Sequence, residues 1–167
     1  RQRQMCIRDR ISPYGIAKYQ GEEHCHAIAA SGRLETVVLR YFNVFGPGQD
    51  PSSPYSAVIP KFIALILDGQ QPRIFGDGTQ SRDFTFVQNI VEANLLAAEA
   101  RHVSGQSINV ANGRSISLLK LTELLSRYLQ CDVRPEFSAA REGDILHSCA
   151  NISKATDLLG YVPSVGI

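Results

Sequence analysis

Thr36, Val37, Val38, Leu39, Arg40 and Tyr41 constrain the fold more than any other stretch of the sequence. The run is β-branched and nearly continuous, without polar–apolar alternation. That pattern suits a strand buried on both faces, as in a parallel sheet covered by helices. A helical pattern over residues 13–30 precedes it. Ser12 is the expected N-cap, Pro13 falls in the first turn, and Ser31-Gly32 supplies the stop. A helix feeding a buried strand makes this an α/β chain.

The same alternation continues downstream. A loop rich in Gly, Pro, Asp and Ser spans 43–55, and a helix is predicted over 56–67. A short strand at 72–75 leads into the turn Gly76-Asp77-Gly78. An amphipathic helix over 87–100 places Ile90, Val91, Leu95 and Ala98 on its buried face. A strand follows at 107–110. Ser117 caps a helix through residue 128 that turns Leu118, Leu121, Leu124 and Leu125 inward. Residues 133–137 are extended, and Ser153 caps a last helix ending at Leu159-Gly160. The strands are too few to cover these helix faces, so N-terminal strands are expected to be missing from this inventory. Residues 1–10, RQRQMCIRDR, show neither helical nor strand period and are expected to be non-native or disordered.

Composition removes several classes of function. The chain has 167 residues and a net charge of +1, which gives no nucleic-acid footprint. No apolar run approaches the length of a membrane span. Cys6, Cys25, Cys131 and Cys149 show no CxxC spacing and read as reduced thiols of a cytoplasmic protein. His24-Cys25-His26 lacks ligand geometry, because adjacent helical residues point in different directions, so no metal site is expected.

Tyr14 and Lys18 lie four residues apart and share one helix face. A free phenol is a poor base at neutral pH, and a fixed ammonium one turn away stabilises its anion. Such a pair is suited to taking a proton from an alcohol while a hydride leaves the same carbon.

Four segments then occur in order: SPYGIAK, LRYFNVFGPGQDP, GDGTQSRDF and REGDILHS. Together they resemble the extended short-chain dehydrogenase/reductase (NAD-dependent epimerase/dehydratase) family, and within it the UDP-hexose 4-epimerases. The resemblance runs from Ser12 to about Pro163. It implies the C-terminal part of a Rossmann-type doubly wound fold plus the smaller substrate-binding α/β domain. Residues 11–55 are then the last helix and strand region of the NAD-binding domain. Residues 56–167 mainly form the nucleotide-sugar domain, with 86–111 packing back on the Rossmann sheet.

The resemblance also implies roles. Tyr14 is the catalytic base and acid, and Lys18 holds the nicotinamide ribose and tunes Tyr14. Tyr41 and Phe42 lie beside the nicotinamide, at the carboxyl end of a parallel strand. Asn43 donates to the substrate diphosphate, Val58 and Lys61 border the nucleotide, and Phe75 lies near the uracil. Arg82 and Arg141 clamp the diphosphate, a task that suits the planar guanidinium fork. Asp144 accepts from a ribose hydroxyl of UDP. Ser148 lines the sugar pocket, where a small residue leaves room for a 2-acetamido group. The bland alternative, read from the residues alone, is that Arg82–Asp83 and Arg141–Glu142 are solvated charges.

The implied activity is NAD-dependent C4 epimerisation of UDP-N-acetylglucosamine and UDP-N-acetylgalactosamine, with UDP-glucose and UDP-galactose also accepted. A UDP-glucuronate decarboxylase or a nucleotide-sugar 4,6-dehydratase is the alternative within the family. A non-catalytic nucleotide-sugar-binding module is the alternative outside it. The family's glycine-rich turn and the Ser/Thr partner of the Tyr–Lys pair have no counterpart in these residues, so the 167-residue chain alone is expected to be inactive. A homodimer of the full-length protein is implied, joined through a helix on which Ile16, Cys25, Ile28 and Ala29 allow packing.

Overall fold

A computed structural model describes residues 13–53 and 58–167. The expectations for residues 1–10, for the cap Ser12 and for the helix start at Ser56 fall outside the described residues. Helix α1 (Pro13–Ala30) leads into β1 (Val37–Tyr41) and the short β2 (Val44–Phe45). Helix α2 (Val58–Leu67) is followed by β3 (Arg73–Phe75), β4 (Ser81–Arg82) and β5 (Thr85–Phe86). Then come α3 (Val87–Glu99), β6 (Gln106–Val110), β7 (Ile116–Ser117), α4 (Leu118–Leu129), β8 (Glu136–Ser138) and α5 (Ser153–Leu159).

The strand read from the 36–41 run pairs in parallel with β6 along its whole length, from Val37↔Gln106 to Tyr41↔Val110. Contrary to the expectation of a strand buried on both faces, Val37 to Arg40 are half-buried and Tyr41 is exposed, and the two faces are used differently. Val37 and Leu39 pack with Ile108, Val110, Ile90, Ala93, Ala155 and Leu159, so α3 and α5 cover one side. On the other side Arg40 is held by Glu22 of α1, and Ser107 of β6 donates to the same carboxylate at 2.6 Å. Helix, sheet and helix thus form three layers, the arrangement that a parallel sheet requires.

A second core gathers Ile59, Phe62 and Ile66 of α2, Ile74, Phe84, and Leu121 and Leu125 of α4. Beside it β3 runs parallel to β8, and β4 runs antiparallel to β7. Between the two cores β2 pairs in parallel with β5, and the Phe45 and Phe86 rings meet edge to face at 5.5 Å. Gly46 permits this approach. A Cβ there would lie 2.5 Å from Cγ1 and 3.0 Å from Cβ of Val87, at the start of α3.

Three local expectations are corrected. The buried face of α3 is Asn89, Ile90 and Ala93, with Leu96 and Ala97 partly covered. Val91 and Leu95 are 53% and 61% exposed, and Ala98 is exposed too. This helix is apolar on more than one face, so periodicity could not select the buried one. Ser153 does not cap α5. Ser153 is the first residue of the helix and Ile152 holds the N-cap position without a side-chain cap, while the Asn151 carboxamide oxygen before it accepts from the Ser153 amide at 2.9 Å and from its hydroxyl at 2.6 Å. The two-residue strand β2 lies in the segment read as loop, β7 includes the cap Ser117, and β4 and β5 fall in 79–86, where no element was predicted. Ser117 does cap α4, accepting from the Lys120 amide at 3.1 Å. Among the described residues no helix is long and apolar enough to cross a membrane.

Candidate functional site

The RDF segment organises the site, through its aspartate as much as its arginine. Asp83 is fully buried. One carboxylate oxygen accepts the Asn112 amide at 3.0 Å, and the other accepts the Gly113 and Ala150 amides at 3.1 Å each. Burial pushes the Asp83 carboxyl above its ordinary value, and those three amides pull against the rise. The residue therefore ties the β4–β5 segment to the chain after β6 and to the chain before α5. The pairing of Arg82 with Asp83, open in the sequence, is not formed.

Arg82 instead points the other way. Its Nη2 lies 3.7 Å from Asp144, and its Nη1 donates to the Ser81 carbonyl at 2.9 Å. Asp144 and Arg141 share one turn, with the Asp144 amide donating to the Arg141 carbonyl at 3.3 Å. The Arg141 guanidinium sits over the Phe75 ring, 3.7 Å from its centroid, a cation–π contact. The 141–148 loop runs alongside β4: the Ser81 amide donates to Leu146 at 2.8 Å, and the Ser148 amide donates to Ser81 at 3.0 Å. Ser148 is 5% exposed. Phe75, Arg82, Arg141, Asp144 and Ser148, far apart in sequence, thus meet around one loop.

Asn43 adopts a left-handed backbone with φ of 37°. Its carboxamide donates to the Asp83 carbonyl at 3.0 Å, and its own carbonyl accepts the Thr85 amide at 3.3 Å. It stands at the end of β1 and locks onto the same anchor. Val58 and Lys61 lie in the first turn of α2, where Val58 packs against the second core.

Tyr14 and Lys18 occupy the start of α1. Tyr14 is 63% exposed, and the Lys18 ammonium lies 5.5 Å from its ring centroid. Tyr41 turns its hydroxyl toward α3 and donates to Asn94 at 3.0 Å, while Phe42 beside it is half-buried. The His24-Cys25-His26 run disperses as helical geometry requires. The Cys25 carbonyl accepts from Thr36, and His26 shares a hydrogen bond with Ser107 at 2.8 Å. No group of three His, Cys, Asp or Glu fit for a metal exists among the described residues.

Sequence reasoning missed Asp83 as an anchor, and it missed Ser81 and His147, whose side chains meet at 3.0 Å. The one local signal for Asp83 is its setting before Phe84-Thr85, a segment that becomes fully buried.

The model of the NAD dependent epimerase/dehydratase family matches residues 3–111 of this chain. The chain is similar to the solved UDP-N-acetylglucosamine 4-epimerase of Methanobrevibacter ruminantium M1, in complex with UDP-N-acetylmuramic acid. The two are 46% identical with a TM-score of 0.86, over 92% of this chain and 48% of that one. The UDP-glucose 4-epimerase of Thermotoga maritima with UDP-glucose is 38% identical at a TM-score of 0.86, over 93% and 49% of the two chains. The UDP-glucuronic acid 4-epimerase of Bacillus cereus, in complex with UDP-glucuronic acid and NAD, is 33% identical at a TM-score of 0.82, over 93% and 48%. The chain spans about half the length of the curated relatives it matches.

Proposed function

The chain belongs to the NAD-dependent epimerase/dehydratase family, and on that premise we propose that the protein carrying it inverts C4 of a UDP-hexose. The preferred substrates are UDP-N-acetylglucosamine and UDP-N-acetylgalactosamine, with UDP-glucose and UDP-galactose also accepted. The observation that carries the reading is the 141–148 loop docked on β4, which gathers Arg82, Asp144 and Ser148 at one place. Two guanidinium groups, Arg82 and Arg141, take the diphosphate, and Asn43 adds a donor. Phe75 offers its ring to the uracil, Asp144 accepts from the UDP ribose, and Val58 and Lys61 border the nucleotide. Ser148 keeps the sugar pocket wide enough for an acetamido group.

The residues around Tyr14 fit NAD. An exposed phenol and an exposed ammonium one turn apart present a proton acceptor and a ribose-hydroxyl donor on the same face. NAD supplies, when bound, the two-electron acceptor that the C4 carbon needs. Tyr14 takes the proton from the C4 hydroxyl oxygen and returns it to that oxygen after the sugar has turned, when the C4–H bond is restored on the opposite face and no net redox change remains. Lys18 stabilises the phenolate before the proton is taken and after it is returned, and holds the nicotinamide ribose. Tyr41 and Phe42 line the nicotinamide side. The arginines hold the diphosphate while the sugar turns, so tight nucleotide binding and a roomy sugar pocket act together.

The proposed domain division puts 11–55 with 86–111 on the NAD-binding side and the remainder of 56–167 mainly on the nucleotide-sugar side, and α5 and Tyr161 depart from it by packing in the first core. A cytoplasmic homodimer joined through α1, whose Ile16 and Ile28 are exposed, belongs to the same proposal.

The test is incubation of the complete protein with UDP-N-acetylglucosamine, UDP-glucose and UDP-glucuronate, followed by product analysis. C4 epimers of the first two are expected. A decarboxylated pentose product would replace this reading with the decarboxylase. Tyr14→Phe is expected to abolish turnover and spare UDP binding. Unchanged turnover in that variant would remove Tyr14 from its role.

A further inference from the structure

We propose that Ser81 and His147 form a positioning pair that docks the 141–148 loop onto β4 and thereby sets how tightly a UDP diphosphate is held. The inference rests on the nucleotide-sugar reading above.

Little apolar packing holds this loop. Arg141, Glu142, Gly143 and Asp144 are exposed, and Leu146 is 66% exposed. Its attachment is therefore polar and comes in two parts. Beyond Ser148, the Ala150 amide is locked on buried Asp83. Within the loop, both residues of β4 attach it: Arg82 reaches Asp144 at 3.7 Å and the Leu146 carbonyl at 3.5 Å, and Ser81 makes the other contacts. Ser81 gives its amide to Leu146, takes the amide of Ser148, and shares a hydrogen bond between its hydroxyl and His147 Nδ1 at 3.0 Å. The bridge between Ser81 and His147 is parallel, so the two side chains emerge on the same side and can meet.

The position of this pair gives it leverage. Arg82 follows Ser81 directly, and Ser148 follows His147 directly. The Ser81–His147 bond therefore fixes the separation between the arginine and the loop that bears Arg141, Asp144 and Ser148. A loop already held in place binds a diphosphate without the ordering cost that a loose loop would meet. Neither side chain needs to touch the nucleotide for this effect.

The experiment is calorimetric titration of UDP into the protein and into Ser81→Ala, His147→Ala, the double variant and His147→Asn, with steady-state kinetics alongside. Ser81→Ala leaves both backbone bonds of residue 81 in place. Each single alanine variant is expected to weaken UDP about fivefold, the size of one net hydrogen bond, with KM rising and kcat holding. The double variant is expected to bind no more weakly than either single one, because the two side chains act as one unit. His147→Asn, whose amide nitrogen superposes on Nδ1, is expected to restore wild-type affinity. Amide exchange at 144–148 is expected to quicken in the alanine variants even without UDP, which gives a readout independent of the ligand. Additive or absent effects in a protein that binds UDP would overturn the pair while leaving the nucleotide reading intact. A folded wild-type protein that does not bind UDP would overturn both.

Discussion

Asp83 accepts the backbone amide of Ala150 at 3.1 Å across 67 residues of sequence, from a position with no solvent exposure. The same carboxylate accepts the Asn112 and Gly113 amides, so two distant stretches of chain converge on one side chain. The arginine before it and the serine at 148 take their places from this junction.

Asp83→Asn is therefore expected to be far more damaging than its near-identical shape suggests. The carboxamide must turn an NH2 group toward at least one amide that now donates to a carboxylate oxygen, leaving buried donors facing each other. The expected loss is about 3 kcal/mol, the range for breaking a charge-assisted buried network. Chemical denaturation of the variant checks this. A shift within error of wild type would mean that the junction is held by its backbone pairing and packing alone.

Tyr161 supplies a prediction in pH. It is fully buried, and its hydroxyl donates to the Ala111 carbonyl at 2.9 Å. Burial first, and then the Asp83 and Glu92 charges, push its phenol from 10.0 up to about 12. The unfolded chain releases this proton near its ordinary value, while the folded chain keeps it until the higher one. Stability supported by Tyr161 is thus fully present below pH 10.0 and is lost as pH climbs toward about 12. Ultraviolet difference titration is expected to find one of the six tyrosines ionising last, and that step is expected to vanish in Tyr161→Phe. A variant that keeps the late step would reassign it to another tyrosine.

Ser148→Tyr tests the sugar pocket. Ser148 is buried and its amide is fixed to the Ser81 carbonyl, so a phenol at this position has little freedom to move aside. Turnover of UDP-N-acetylglucosamine is expected to fall about a hundredfold in kcat/KM while UDP-glucose is spared, since a steric filter discriminates modestly. Equal losses on both substrates would show that residue 148 supports the pocket without selecting its occupant.

Short-range rules made much of this protein legible before any coordinates. The β-branched run around Val38 became β1, the Pro13 start and Gly32 stop bounded α1, and Ser117 capped α4, because each depends on residues a few positions apart. The four motifs named the family for the same reason, being contiguous strings. The rest depended on pairings that no local pattern encodes. Two-residue strands such as β4 and β7 exist only because each finds the other across the chain. The choice of Ala93 over Leu95 as the buried side of α3 was made by the sheet it packs on, since the helix offers apolar residues to more than one side. Asp83 looked like a surface charge beside Arg82 until the amides of Asn112, Gly113 and Ala150 arrived to receive it. The sequence by itself determined the helices, the strand β1 and the family. Tertiary structure alone decided which polar side chains became anchors, because burial of a charge is tolerated only where distant backbone donors converge on it.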